Sequence, residues 1–323
     1  MKKFIKNVLI LTVIISFITG GINYAYMHHS INYGTMGECR NDAAYIVNVP
    51  DKIQICNFGN SHGYYGFNYD AYCDDFICFN FSLPSQTMSY NYRILQNFQE
   101  NIETDAVVFI CISYTSFFGM DETESEDFLS KNKRYYHFLD KQYIKEYDAR
   151  TNLFVNYFPA LSTDAMDLFK TTIGINQVKD YWQSTTSGDA ALSHGLRRYE
   201  SHVACNVDYN GKRIINEDEI SALYEMIYLC KTIGATPILI TTPYLSEYTD
   251  PVLESDPGFY DDFYEIIGTI INETDVEYFD YQFDDRFSSN YSYFFNSDHL
   301  NKEGAKKFTD ILMQEIVYGK GYY

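Results

Sequence analysis

Basic charge is scarce in this chain of 323 residues: 24 Lys and Arg stand against 44 Asp and Glu, a formal net charge of −20. A nucleic-acid surface needs a Lys/Arg patch to displace counterions from phosphates, and none is visible, which argues against nucleic acid as a partner. Neutral or cationic partners suit such a surface. C-x-x-C pairs are also absent, and the seven cysteines (Cys39, Cys56, Cys73, Cys78, Cys111, Cys205 and Cys230) are odd in number. That pattern speaks against a disulfide framework and against a zinc site, leaving only an isolated Cys73–Cys78 bridge open. Nothing in the sequence calls for a metal or another cofactor.

Missing from the N-terminal region are an A-x-A-type cleavage site and a closely following Cys able to accept a lipid. What stands there is Lys2, Lys3 and Lys6, then an apolar run from Val8 to Thr19 that fades through Gly20 and Gly21 to about Tyr26. The run is short beside the roughly 20 residues of a membrane span, although INYAY extends it with rings suited to an interface. The next basic residue is Arg40, so the positive-inside rule leaves the N-terminus in the cytoplasm and the bulk of the chain outside. Two readings follow: a single-pass anchor holding an extracytoplasmic domain, or a signal removed on export. The organisation is then 1–26 as anchor or signal, 27–50 as juxtamembrane linker and 51–323 as the folded domain. His28 and His29 beside the anchor have no third ligand nearby and read as polar juxtamembrane sequence.

Hydrophobic residues make up 46% of the chain, enough for a substantial core. The 32 Tyr and 24 Phe serve as core and surface material, and such rings also suit sugar faces. Short apolar runs alternate with longer amphipathic ones. IQIC at 53–56, ICFNF at 77–81, DAVVFICIS at 105–113, PILIT at 237–241 and VEYFDY at 276–281 read as strands. Helices are expected from Gln86, after an Asn216/Glu219 capping pair, over 259–271 and over 302–318. Strands alternating with helices predict an α/β fold, a three-layer α/β/α sandwich on a mostly parallel, flavodoxin-like sheet. Residues 117–215 break the rhythm and read as a largely helical or irregular insertion over the carboxyl edge of the sheet, where ligands bind.

Two loops carry chemistry. FGNSHGY at 58–64 follows the first strand and presents Ser61, which is either a helix cap or a nucleophile. His62 beside it reads as a local hydrogen-bonding residue or a substrate contact. NSDHLNKEGAKKF at 296–308 precedes the last helix and presents His299. FGNSHG followed by SDHLN and GA resembles the SGNH/GDSL hydrolase superfamily over nearly all of 51–323. It is most similar to the exported, membrane-anchored branch that includes the D-alanyl transfer protein of teichoic acid modification and the alginate O-acetylation proteins.

The resemblance implies that Ser61 attacks an acyl carbonyl and that His299 takes its proton. A carboxylate three residues before the histidine would fix the ring, but position 296 is Asn, so either Asn296 or the adjacent Asp298 assists. NFSLPSQT at 80–87 matches the second block, with Ser85 where the family places an oxyanion glycine and Gln86 beside it. The third block, ISYTSFF, lacks the family's asparagine and offers Thr115, Ser113 or Ser116 as a hydroxyl donor. Implied too are an acyl-ester activity, O-acyltransferase or esterase, on a cell-surface glycan or polymer, and a membrane-bound acyl-donor protein as partner. The alternative is a catalytically degenerate module of the same fold that binds a glycan or a membrane acyltransferase.

Overall fold

The computed structural model describes residues 1–29, 49–119, 128–161, 165–173, 182 and 184–323. Most of the expected juxtamembrane linker, with Cys39, and parts of the expected insertion lie outside these residues. In chain order the elements begin α1 (Lys2–His29), β1 (Ile53–Phe58), α2 (Ser61–Gly66), β2 (Cys78–Asn80), α3 (Met88–Phe98) and β3 (Ile102–Cys111). Then come α4 (Phe128–Asn132), α5 (Ala149–Tyr157), α6 (Ala165–Thr172), α7 (Gly188–Tyr199), α8 (Glu217–Thr232) and β4 (Thr236–Thr241). The chain closes with α9 (Ser246–Ser255), α10 (Gly258–Thr274), β5 (Glu277–Asp280) and α11 (Lys302–Leu312). Two compact units result, one of Met1–Asn48 with Leu129–Lys179 and one of Val49–Phe128 with Asp180–Tyr323.

The second unit is the α/β sandwich. Its five strands are all parallel in the order β2-β1-β3-β4-β5. Side chains alternate across a strand, so Ile55, Val107, Phe109, Ile238 and Ile240 share one face. They pack there on Phe308, Ile311 and Leu312 of α11 and on Met313, Ile316 and Val317 beyond it. The opposite face holds Cys56, Phe58, Val108, Ile110 and Leu239, also buried. Burial on both faces is why the strands read as continuous apolar runs.

Element ends differ from the sequence reading in instructive places. β3 begins at Ile102 rather than 105, because Ile53 pairs with Ile102 before the register shifts to Ile55 and Val107. Asp105, at φ +73°, accommodates the shift, and a polar Glu103-Thr104-Asp105 stretch carries no strand signal of its own. The last helix is α-helical only to Leu312 and widens into a π-type turn over Met313–Tyr318. Cys73 and Cys78 are free thiols.

Order β2-β1-β3 means that the chain leaves β1 to one side and returns on the other, opening a crevice at the carboxyl ends of β1 and β3. Close approach at this edge requires glycine: a Cβ on Gly59 would stand 2.6 Å from Cβ of Cys111.

In the first unit α1 lies against α6 and the short turn Pro159–Leu161. Residues Lys2–Tyr26 of α1 are long and apolar enough to cross a membrane, and none of that stretch is buried.

Candidate active site

Asn60, not Ser61, caps α2: its side-chain oxygen accepts the His62 N–H at 2.9 Å. Ser61 therefore occupies the first helical position with its hydroxyl unused by the backbone turn, and Oγ sits 2.8 Å from Nε2 of His299. The cap reading of Ser61 is thus replaced by a serine–histidine pair drawn from opposite ends of the sequence, 238 residues apart.

His299 is held as a slab. Its ring stacks on His62 at 4.8 Å and on Phe295 at 5.4 Å, and meets the edge of Tyr65 at 5.5 Å. The Nδ1 edge faces two groups. Asp298 Oδ1 lies at 2.8 Å as an ion-pair contact, while the hydrogen-bonding direction points at the Asn296 amide, 3.2 Å to Oδ1 and 3.0 Å to Nδ2. Asn296 Oδ1 also accepts the backbone N–H groups of Asp298 at 3.1 Å and His299 at 2.8 Å. These contacts identify it as the amide oxygen and make Asn296 the brace of the loop. When the Ser61 hydroxyl donates to Nε2, the ring proton is on Nδ1, and the same oxygen receives it. Orientation comes from Asn296 and negative charge from Asp298.

Asp298 is buried, with side-chain exposure of 1%. Burial alone would raise its carboxyl, but the electrostatic attraction of the adjacent His299 ring, the His62 ring and the Arg198 guanidinium outweigh that and hold it well below the usual carboxylate range. Arg198 Nε is 3.2 Å from Oδ2, His62 Nε2 is 3.4 Å from it, and His194 Nδ1 is 3.7 Å from Oδ1. His202 Nε2 in turn meets Arg198 Nη1 at 2.7 Å. Burial pushes His62 down to about 4 against the raising effect of Asp298, and pushes His202 down to about 4 with help from Arg198. Both rings are neutral at pH 7.

Arg198, His194 and His202 fall in the segment read from the sequence as a largely helical or irregular insertion, in which no individual helix was placed at these residues. Their spacing of i, i+4 and i+8 puts them on one face of α7 and its continuation, which is the signal that was there to be read. Gly195 lets α7 approach: a Cβ there would stand 1.8 Å from the Glu247 carbonyl oxygen of α9. The donor atoms of His62, Asp298 and His299 all lie within 4.8 Å of one another, a set that by its chemistry suits a metal ion. Arg198 already brings positive charge to that carboxylate, and His299 turns Nε2 to Ser61.

Beside Asn60 opens a polar cavity of about 200 Å³ whose lining includes Ser85, Gln86, Thr115, Ser116 and Glu219. Ser85 has φ +54°, the left-handed conformation that favours glycine, so a glycine-like backbone carries a serine here. Ser113 is buried and its hydroxyl meets Asn60 Nδ2 at 3.2 Å, Thr115 Oγ1 at 3.1 Å and Ser116 Oγ at 3.1 Å. Ser113 thus braces Asn60, whereas Thr115 faces the cavity. Gln86 donates to Gly59 O and Phe81 O, both at 3.1 Å, and to Asn91 Oδ1 at 2.5 Å. An amide so engaged holds the β1–α2 turn rather than an oxyanion. Glu219, expected to cap α8, instead directs a carboxylate oxygen to the Met88 N–H, while Asn216 caps α8 by accepting from Glu219 N–H.

No protein-family model and no curated protein matches the chain. Among solved structures it is similar to a "putative acylhydrolase" from Bacteroides fragilis NCTC 9343, with 13% identity and a TM-score of 0.40 over 88% of this chain and 98% of the other.

Proposed function

We propose that this chain is a serine-dependent acyl-ester enzyme of the SGNH type, tethered by α1 outside the cytoplasmic membrane. Its acceptor or substrate is a cell-surface polysaccharide or teichoic-acid-like polymer. The observation that carries the reading is the 2.8 Å contact from Ser61 Oγ to His299 Nε2, backed by Asp298 and Asn296 at the other ring nitrogen.

Ser61 Oγ attacks the acyl carbonyl as its proton passes to Nε2, and the Asp298 carboxylate stabilises the imidazolium that forms. The backbone N–H groups of Ser61 and Ser85 hold the oxyanion, with Thr115 from the cavity wall; a single such donor is worth about 2.7–4 kcal/mol. Collapse returns the proton from Nε2 to the leaving alcohol and leaves acyl-Ser61. His299 then deprotonates the second nucleophile. Water at that step makes the protein an esterase; a sugar hydroxyl makes it an O-acyltransferase, and a membrane-bound acyl-donor protein would supply the first ester.

A fluorophosphonate probe tests the reading. Labelling of the wild-type chain and of no Ser61→Ala variant is expected. A folded wild-type protein that resists the probe under all conditions would assign the chain instead to a glycan- or partner-binding module. Partition of the acyl group between water and an added polysaccharide then separates hydrolysis from transfer.

A further inference from the structure

The first unit carries a surface that the chemistry above does not use. Along α5, the turn after it and α6, Leu153, Phe154, Tyr157, Leu161, Met166 and Phe169 are all exposed, Tyr157 and Met166 to more than 60%. So much apolar area on consecutive short elements is uncommon in water. Its position is specific. Asn23 of α1 donates from Nδ2 to the Tyr157 carbonyl at 2.8 Å and accepts the Ala160 N–H at 3.2 Å through Oδ1. These bonds fasten the segment to α1 just past the apolar run, at the level where a membrane-crossing helix leaves the hydrocarbon.

Charge separates this segment from the rest of an acidic chain. Residues 129–179 hold eight Lys or Arg against five Asp or Glu, a net +3 within a protein of −20. A cavity of about 300 Å³ beside the apolar surface is lined by Lys133 and Arg150 as well as Asp148, Thr151, Phe154 and Val155. Aromatic and aliphatic side chains bordered by cations are the composition of an element that lies in a bilayer interface, its rings at the acyl boundary and its cations at anionic headgroups.

We infer that the exposed apolar face of residues 153–161 and 165–173 lies in the interface of a lipid bilayer beside the end of α1, with anionic lipid headgroups at its basic border. The protein then holds the membrane through two elements, a crossing helix and a surface-lying one. The inference rests on α1 being an uncleaved membrane helix, and the test separates the two.

Nitroxide labels are placed singly at Ile14, Leu161, Phe169 and Tyr209 by cysteine substitution of the full chain, with Cys39, Cys73 and Cys205 changed to serine. The labelled protein is reconstituted in phosphatidylglycerol/phosphatidylcholine vesicles, and accessibility to oxygen and to a water-soluble nickel chelate gives the depth. Labels at Leu161 and Phe169 are expected about 5–10 Å below the headgroup boundary, Ile14 deeper, and Tyr209, which is 97% exposed, in water. Ile14 in lipid with Leu161 and Phe169 in water would overturn the inference and leave the anchor standing. Ile14 in water would overturn both. A protein partner in place of lipid would show as labels shielded from both probes in native membranes and returned to water in lipid-only vesicles, and would also overturn it. Depth at Leu161 and Phe169 that is equal in pure phosphatidylcholine would overturn the role of anionic headgroups.

Discussion

Arg198 reaches Asp298 with Nε 3.2 Å from the carboxylate, joining a helix of the irregular segment to the loop that carries His299. Asp298 is buried and Arg198 about three-quarters so. Removing the guanidinium strands a buried charge, and breaking such a pair costs about 3 kcal/mol. Arg198→Met is expected to lower the urea midpoint accordingly, and the double variant Arg198→Met/Asp298→Asn to recover most of the loss. If the two single changes add in the double variant, the pair contributes nothing.

Asn296 and Asp298 both face Nδ1 of His299. Asp298→Asn keeps the shape but loses the charge facing the imidazolium, and a fall in turnover of an activated ester on the order of 10³–10⁴ is expected. Asn296→Ala loses one orienting hydrogen bond, about 1–2 kcal/mol, hence a fall of roughly 10-fold. Restoring an acid through Asn296→Asp would set a second carboxylate beside the first. Two such groups cannot both ionise freely, so no gain in turnover is expected. Steady-state kinetics of the three variants rank them.

Ser85 can be tested through its backbone. Its φ of +54° strains any residue with a Cβ by roughly 1–2 kcal/mol. Ser85→Gly relieves that strain, and the greater freedom of glycine when unfolded offsets part of the gain, about 0.5–1 kcal/mol. A small rise in thermal midpoint with turnover retained is expected, because the N–H remains. Ser85→Val should lose stability, since a β-branched residue tolerates this conformation least.

Acid should weaken the fold through two neutral histidines. His62 and His202 are pushed down to about 4, from about 6.5 when unfolded. Between these values the unfolded chain binds more protons than the folded one, so stability rises with pH across that window. Their contribution is complete above about 6.5 and is lost towards 4, at up to about 1.4 kcal/mol per pH unit for each ring. Urea midpoints from pH 4.5 to 7 should show that slope, and His202→Gln should make it shallower.

Much of the architecture was legible because it depends on local pattern. Runs such as DAVVFICIS carry their burial in composition, and Asn216 announces the start of α8 by capping it. The irregular segment was not legible in the same way. α7 is positioned by Gly195 against α9, and π-type widening after Leu312 follows no periodicity that a single sequence displays.

The sequence by itself determined the parallel α/β order and placed Ser61 just after the first strand and His299 just before the last helix, since hydrophobic periodicity and turn residues act over short spans. Only the tertiary structure decided that Asn60 takes the cap and leaves Ser61 its hydroxyl, that Asn296 and Asp298 both face His299 Nδ1, and that Arg198 lies against the carboxylate. Each of these depends on directions and distances between groups far apart in the chain, and those are set by packing rather than by neighbouring residues.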